Sequence, residues 1–290
     1  MDIAHARVAG CSRELPHLIM NSIYCPCPPT LAFTAASPDC AARLQWVSEN
    51  AVAVEFSPDP ERLDLLPEII LPFRQAGLPI RFHTRYFQYE LGHADPSLAS
   101  AALEVHQRSL VAMAGLSEPV VTVHSGLNPD QPVHMPTLVD NLSRLVEFAG
   151  KLGMIVCLEN LRTGHSSDPR NIASWAAAAG AMITLDIGHA LGSASVQSGS
   201  CTVEDFVDLF AHRLWEVHIY GREDESGHHP IDDMEPFEPI IARLLETRCS
   251  WWTVELQDAD AARNTREMIR RSLQSRFQSD ARTRANMHAV

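Results

Sequence analysis

The feature that most constrains this chain is a repeat. Eight times, from Leu31 onward, a short apolar run rich in β-branched residues is followed by a longer stretch of helical period. The runs are 30–35, 51–56, 78–83, 119–125, 154–159, 181–186, 215–220 and 251–256. Strands alternating with helices in this way build a parallel sheet, and eight such units is the number that closes a barrel. Ser37-Pro38, Asp95-Pro96 and Asp168-Pro169 each place a capping residue before a proline at the first helical position. Gly77, Gly115, Gly153 and Gly180 stand where helices should stop, just before the next strand. A doubly wound open sheet shares the alternation, so the placement of polar residues has to decide.

Strand after strand ends in a side chain able to bind a metal or move a proton. Val54-Glu55 closes the second, Arg81-Phe82-His83 the third, Thr122-Val123-His124 the fourth and Cys157-Leu158-Glu159-Asn160 the fifth. Thr184-Leu185-Asp186-Ile187-Gly188-His189 closes the sixth, Val217-His218 the seventh and Val254-Glu255 the eighth. Singly, each has a plainer reading as a hydrogen-bonded histidine or a solvated carboxylate. Together they do not, because a buried ionisable group is costly unless it is paired, and so many of them require a shared partner. A metal cluster on the axis of a closed barrel supplies one, whereas the strand ends of an open sheet lie in a row. The expected fold is therefore α/β, a (β/α)₈ TIM barrel. Arg81 and Glu216 fall one layer below the mouth and are expected to form an ion pair in the core. Asp186-x-x-His189 opens a glycine-rich loop, 188–199, free to shape a site.

At 290 residues, 46% of them hydrophobic, the chain can bury the core of one barrel domain. That domain is expected over 29–276, after an irregular extension, 1–28, and before a polar, arginine-rich tail, 277–290. Seven scattered cysteines, an odd number, and the lack of a signal-like apolar run point to reduced thiols and a cytoplasmic protein. Cys25 and Cys27 form a lone C-x-C, a weak metal motif. No apolar stretch is long enough for a membrane span. The formal charge of −13 argues against nucleic-acid binding, which runs on basic residues. The one lysine, Lys151, lies at the wrong end of a strand for barrel chemistry, which argues against Schiff-base mechanisms. A small-molecule substrate is the expected partner; the residues carry no signal for oligomeric state.

From about residue 30 to 276 the chain resembles the xylose-isomerase-like barrel superfamily, which includes sugar isomerases and epimerases and endonuclease IV. The residues that carry the resemblance are Leu158-Glu159-Asn160, Leu185-Asp186-Ile187-Gly188-His189, Val217-His218 and Val254-Glu255. By that resemblance Glu159, Asp186, His218 and Glu255 would coordinate one divalent ion. His83 and His124 fall where endonuclease IV adds histidines, and with Glu159 bridging they would bind a second. His189 matches the histidine of a third site and His228, in Gly227-His228-His229-Pro230, suggests its other imidazole. The aspartate of that site is missing, with Ser226 in its place and Asp224 or Asp232 as substitutes. Such mixed ligands suit Zn²⁺ or Mn²⁺, as well as Fe²⁺ or Co²⁺, better than Ca²⁺ or Mg²⁺. Two ions are expected, and a third if the aspartate is replaced.

The aromatic loop from His83 to His93, together with Thr122–Leu127, is similar to the cobamide-remodelling phosphodiesterases of this superfamily. The leading expectation is thus a metal-dependent phosphodiesterase of a phosphate-containing small molecule, with a cobamide as the named candidate. Glu159 and Glu255 are its catalytic candidates, and Arg85, Tyr86, Arg162 and Arg222 its candidates for holding substrate or phosphate. The alternative is a sugar isomerase or epimerase with Glu159 and Glu255 as the acid/base pair. An abasic-site endonuclease stands third, and a sugar-sensing binding barrel is the non-enzymatic reading.

Overall fold

Each apolar run becomes a strand because its residues must leave water on both faces, toward the barrel interior and toward the helices outside. The computed structural model describes residues 27–287, with side chains to residue 278. Cys25 and nearly all of the expected extension lie outside the described residues. In chain order the elements are β1 (Thr30–Ala36), α1 (Ala41–Asn50), β2 (Val54–Ser57), α2 (Leu66–Ile69), α3 (Leu71–Gln75), β3 (Ile80–Thr84) and α4 (Pro96–Met113). There follow β4 (Val120–Val123), α5 (Met135–Lys151), β5 (Ile155–Glu159), α6 (Pro169–Ala179), β6 (Met182–Asp186), α7 (Ile187–Gly192), α8 (Ala194–Gln197) and α9 (Val203–Phe210). The chain continues with β7 (Leu214–Ile219), β8 (Arg222–Asp224), β9 (Gly227–His229), α10 (Glu238–Leu245), β10 (Trp251–Val254) and α11 (Ala259–Met287).

The strands β1 to β7 pair in sequence and in parallel, and β10 closes the circle between β7 and β1. All eight expected strands are present, within three residues of their predicted limits. Between β6 and β7 the pairing jumps from Ile183↔Leu214 to Thr184↔Glu216, a bulge that sets His218 beside Asp186. Among the described residues no helix is long and apolar enough to cross a membrane.

The helices form for reasons legible in their residues. Asp95 and Asp168 cap α4 and α6 by accepting from the backbone N–H of Ser97 and Arg170, at 2.8 and 2.9 Å. In α5, Leu138, Leu142, Leu145 and Ala149 recur at helical spacing and are buried against the sheet. Gly180 ends α6 at φ +76°, where a side chain would be strained.

Three local expectations are corrected. Ser37-Pro38 does not start α1: β1 runs on to Ala36, and Asp39 turns back to accept from the Ala36 N–H at 2.8 Å, so the helix begins at Ala41. Residues 188–199 are mostly α7 and α8 rather than a loop, because the carboxylate of Asp186 caps one and the hydroxyl of Ser193 caps the other. The expected tail from 277 instead continues α11 to Met287, with Phe277 packed on the core.

The interior is polar in two layers. In the lower one Arg81 meets Glu216 at 3.3 Å, as expected, and lies over the Trp251 ring at 4.4 Å, while Thr253 donates to Glu216 at 2.8 Å. Burial first, then the neighbouring Glu55 charge, pushes Glu216 up to about 7. The hydroxyls of Thr122 and Thr184 meet across the barrel at 2.7 Å. The upper layer is the site.

Candidate metal centre

Strand ends deliver the upper layer. Glu55, His83, Glu159, Asp186, His218 and Glu255 are all at most 3% exposed, and His124 and His189 below 10%. Alternation along β2, β3, β5, β6 and β7 sets these side chains on the interior face, and closure makes that face a small cup.

Three ligand sets adjoin the cavity, beside a fourth group, Glu55 with His83 and His218, made by the ring nitrogens turned away from those sets. In the first, Glu159 Oε2 is 3.1 Å from the Nε2 atoms of both His83 and His124, which are 3.2 Å from each other. In the second, His218 Nδ1 lies 3.3 Å from Glu159 Oε1, 3.2 Å from Glu255 Oε2 and 3.9 Å from Asp186 Oδ2. In the third, His189 Nε2 is 3.4 Å from Glu223 Oε2, and His228 Nε2 is 3.9 Å from Glu223 Oε1. Within each set the donor atoms all lie within 4.8 Å of one another. Ligands bonded at 2.0–2.2 Å to one tetrahedral ion are separated by roughly 3–3.5 Å, and most of these separations match.

Orientation gives the same result. Both Glu159 oxygens, Asp186 Oδ2 and His218 Nδ1 are buried yet make no aligned hydrogen bond. They converge on shared points instead of on each other. The opposite ring nitrogens are anchored: His189 Nδ1 is 2.8 Å from the Asn160 carbonyl and His228 Nδ1 is 2.9 Å from that of Glu255. With the proton held on Nδ1, each Nε2 presents a lone pair. Five carboxylates gather here against few fixed positive charges, an arrangement that bound cations would offset. The residues therefore fit divalent ions, and the three sets could hold up to three.

The charges perturb one another strongly. Burial lowers His83, but the carboxylates of Glu55 and Glu159 outweigh it and raise the ring to about 9. Burial likewise opposes protonation of His189, and Asp186 and Glu223 lift it to about 10. Asp186, desolvated and beside Glu159 and Glu255, is pushed up to about 6 despite His189. Glu159 is held low against burial by His124, His218 and His83.

The third set contains a residue that sequence reasoning missed. Neither Asp224 nor Asp232 replaces the aspartate expected at Ser226. Asp224 turns to Ser226, Arg222 and His229 on the other face of the β8–β9 hairpin, with His229 at 2.8 Å. Glu223 faces His228 directly across the two strands. In the hairpin 223 and 228 share one face and 222, 224 and 229 the other, but strands of three residues leave no period in the sequence to show it. Glu90 was also missed. It accepts from the Ser125 hydroxyl at 2.9 Å and the Gly126 N–H at 2.6 Å, fastening the loop that carries His124.

The expected substrate-holding residues separate. Arg85, 3.4 Å from Glu255, lines a cavity of about 220 Å³ over the three sets. Arg162 lines it too, with its Nε on Glu223 at 3.0 Å. Arg222 pairs outward with Asp224 and does not line this cavity. Tyr86 is turned inward, its hydroxyl 2.9 Å from Ser109, because its ring fills space beside His106; the half-exposed Phe87 faces the cavity in its place. A neighbouring cavity of about 370 Å³ shares Arg85, Glu223, His228 and Glu255. Cys27 is exposed and takes no part in these sets.

A family model described as the xylose isomerase-like TIM barrel matches residues 51–275. The chain belongs to that family. Members typically bind divalent metals, and the family is mostly one of enzymes. An uncharacterized protein of Methanocaldococcus jannaschii is 31% identical over 150 residues, which span 52% of this chain and 64% of that protein, less than two thirds of it. A D-tagatose 3-epimerase-like protein superposes with a TM-score of 0.68 at 17% identity, over 86% of this chain and 99% of its own. An L-ribulose 3-epimerase gives 0.68 at 15%, covering 87% and 97%. Endonuclease IV from Thermus thermophilus gives 0.62 at 16%, covering 85% and 100%. At these identities the likeness is one of fold. Several other structures with this fold are sugar epimerases, and the family match does not single out the phosphodiesterase expected from sequence.

Proposed function

We propose that this chain is a metal-dependent phosphoester hydrolase of a small molecule, with a cobamide as the named candidate. The observation that carries the reading is the set of His83, His124 and Glu159 beside that of Glu159, Asp186, His218 and Glu255, joined through one carboxylate. A single-ion isomerase has no use for the first set. His83, His124, Glu159, Asp186, His218 and Glu255 would hold two ions of the Zn²⁺ or Mn²⁺ kind, and His189, Glu223 and His228 a third. Bound there, such ions would supply Lewis-acid charge to a phosphoryl oxygen and acidify a water at neutral pH.

The chain's own groups do the rest. Arg85, held at the cavity wall by Glu255, presents N–H donors to a non-bridging phosphate oxygen. Glu159 orients the reacting water between the first two sets. The cavities on either side of Glu255 and His228 offer separate room for the two substituents of a diester, with Phe87 as an apolar wall for one of them.

A second reading, sugar epimerisation with Glu159 and Glu255 as acid and base, is favoured by the sugar epimerases among the structures with this fold and by both carboxylates facing His218 Nδ1 within 3.3 Å. One experiment separates the two. Metal-loaded protein is assayed for cleavage of bis-p-nitrophenyl phosphate and of a cobamide, and for deuterium uptake from solvent into ketoses, with metal content measured in parallel. Two or three ions per chain and diester cleavage, lost in Glu159→Gln, is the expected result. One ion per chain with deuterium in the ketose and no cleavage gives the site to the epimerase reading.

A further inference from the structure

The imidazoles of the third set are oriented by backbone carbonyls, but those of His83 and His218 have no carbonyl to lean on. Their outer nitrogens instead face one carboxylate, Glu55, which is fully buried within β2. Its Oε1 lies 2.9 Å from His218 Nε2, and its Oε2 lies 3.6 Å from His83 Nδ1. Neither Glu55 Oε2 nor His83 Nδ1 has another hydrogen-bond partner, so a small rotation of the ring closes that contact. The inner nitrogens of the two rings point into different ligand sets, Nε2 of His83 to the first and Nδ1 of His218 to the second. The rings themselves are in contact, with centroids 5.0 Å apart.

We infer that Glu55 is a positioning residue that fixes His83 and His218 in opposite tautomers, so that one carboxylate prepares both metal sets at once. A carboxylate can accept from two N–H groups, one on each oxygen. With the proton of His83 on Nδ1 and that of His218 on Nε2, both inner nitrogens carry lone pairs. An amide at this position cannot do the same, because its NH₂ must face one of the rings. That ring then has to turn its own lone pair outward and its proton toward the ligand set, and one set loses a ligand. Because both rings share Glu55, weakening either contact disturbs the other set as well.

The inference rests on the reading that these sets hold metal and is indifferent to the reaction. It is tested by titrating wild type and Glu55→Gln with Co²⁺, reading the visible d–d absorption and the bound metal, with circular dichroism as the check on folding. The expected result is uptake by wild type and a loss of about 10–100-fold in apparent Co²⁺ affinity in the variant, with an altered spectrum. Nitrogen-15 spectra of metal-free wild type at a pH where the two rings are neutral, assigned with His83→Gln and His218→Gln, should show His83 protonated on Nδ1 and His218 on Nε2; this decides the matter even if Glu55→Gln does not fold. Equal affinity and an unchanged spectrum in Glu55→Gln, or the same tautomer at both rings, overturns the role of Glu55 alone. Failure of wild type to take up metal overturns the metal reading and this inference with it.

Discussion

His106 shows how far one residue can be tuned by its surroundings. It is buried behind the site, its Nε2 3.2 Å from the Tyr89 carbonyl, its Nδ1 facing the Thr84 hydroxyl and its ring against Tyr86. Desolvation holds its pKa near 4 although the Tyr89 carbonyl favours the proton. The unfolded chain binds that proton near 6.5, so the contribution to stability is whole above 6.5, declines as the pH falls toward 4, and is flat below. The loss amounts to about 3 kcal/mol at most. Denaturant unfolding at pH 7.5 and pH 4.5 should show His106→Leu with a smaller drop between the two than wild type; equal drops would mean that His106 is not held neutral. At this scale the residues that meet in the cup were legible, because His83, His124, Glu159, Asp186, His218 and Glu255 each close or follow an apolar strand. Glu55 was visible as a strand end, but its service to two rings was not, since nothing local relates residue 55 to residues 83 and 218.

The β8–β9 hairpin is the element that sequence reasoning did not anticipate. Its strands are three residues each, too short to show a period, and its residues are nearly all polar. What holds it in place is Tyr220, whose ring stacks on His228 with centroids 4.0 Å apart and planes 6° from parallel. Tyr220 in turn lies over Gly188 at the start of α7, where an added Cβ would fall 2.1 Å from the ring. Gly188→Ala is therefore expected to displace Tyr220 and with it His228. It should destabilise the protein by about 1–3 kcal/mol and remove the third metal equivalent while sparing the other two. Urea unfolding and metal analysis of the variant check both, and full metal content would show that the stack does not position the third set. The helix caps at Asp95 and Asp168 were readable because a cap is a contact over two or three residues. Ser37-Pro38 misled because the strand before it extended further than its apolar run suggested.

For the molecule as a whole, the price of gathering five carboxylates in one cup should appear as dependence on metal. A divalent ion at 100 times its dissociation constant adds about 2.7 kcal/mol per site, or roughly 5–10 °C in melting temperature for a domain of this size. Thermal scans of chelator-treated protein with and without Zn²⁺ or Mn²⁺ should show that rise, and a smaller one in Glu159→Gln, which serves two sets. No change on adding metal would separate the cluster from metal binding. The alternation of eight apolar runs determined the barrel, because periodicity and burial are properties of consecutive residues. The polar endings of those runs determined which side chains would meet, because closure leaves strand ends only one place to go. Which nitrogen faces which oxygen, that Glu223 and not Asp224 completes the third set, and that Arg162 lies on Glu223 were decided only in the tertiary structure. Those contacts join residues dozens of positions apart, and their geometry depends on ring rotations and hairpin placement that no local pattern records.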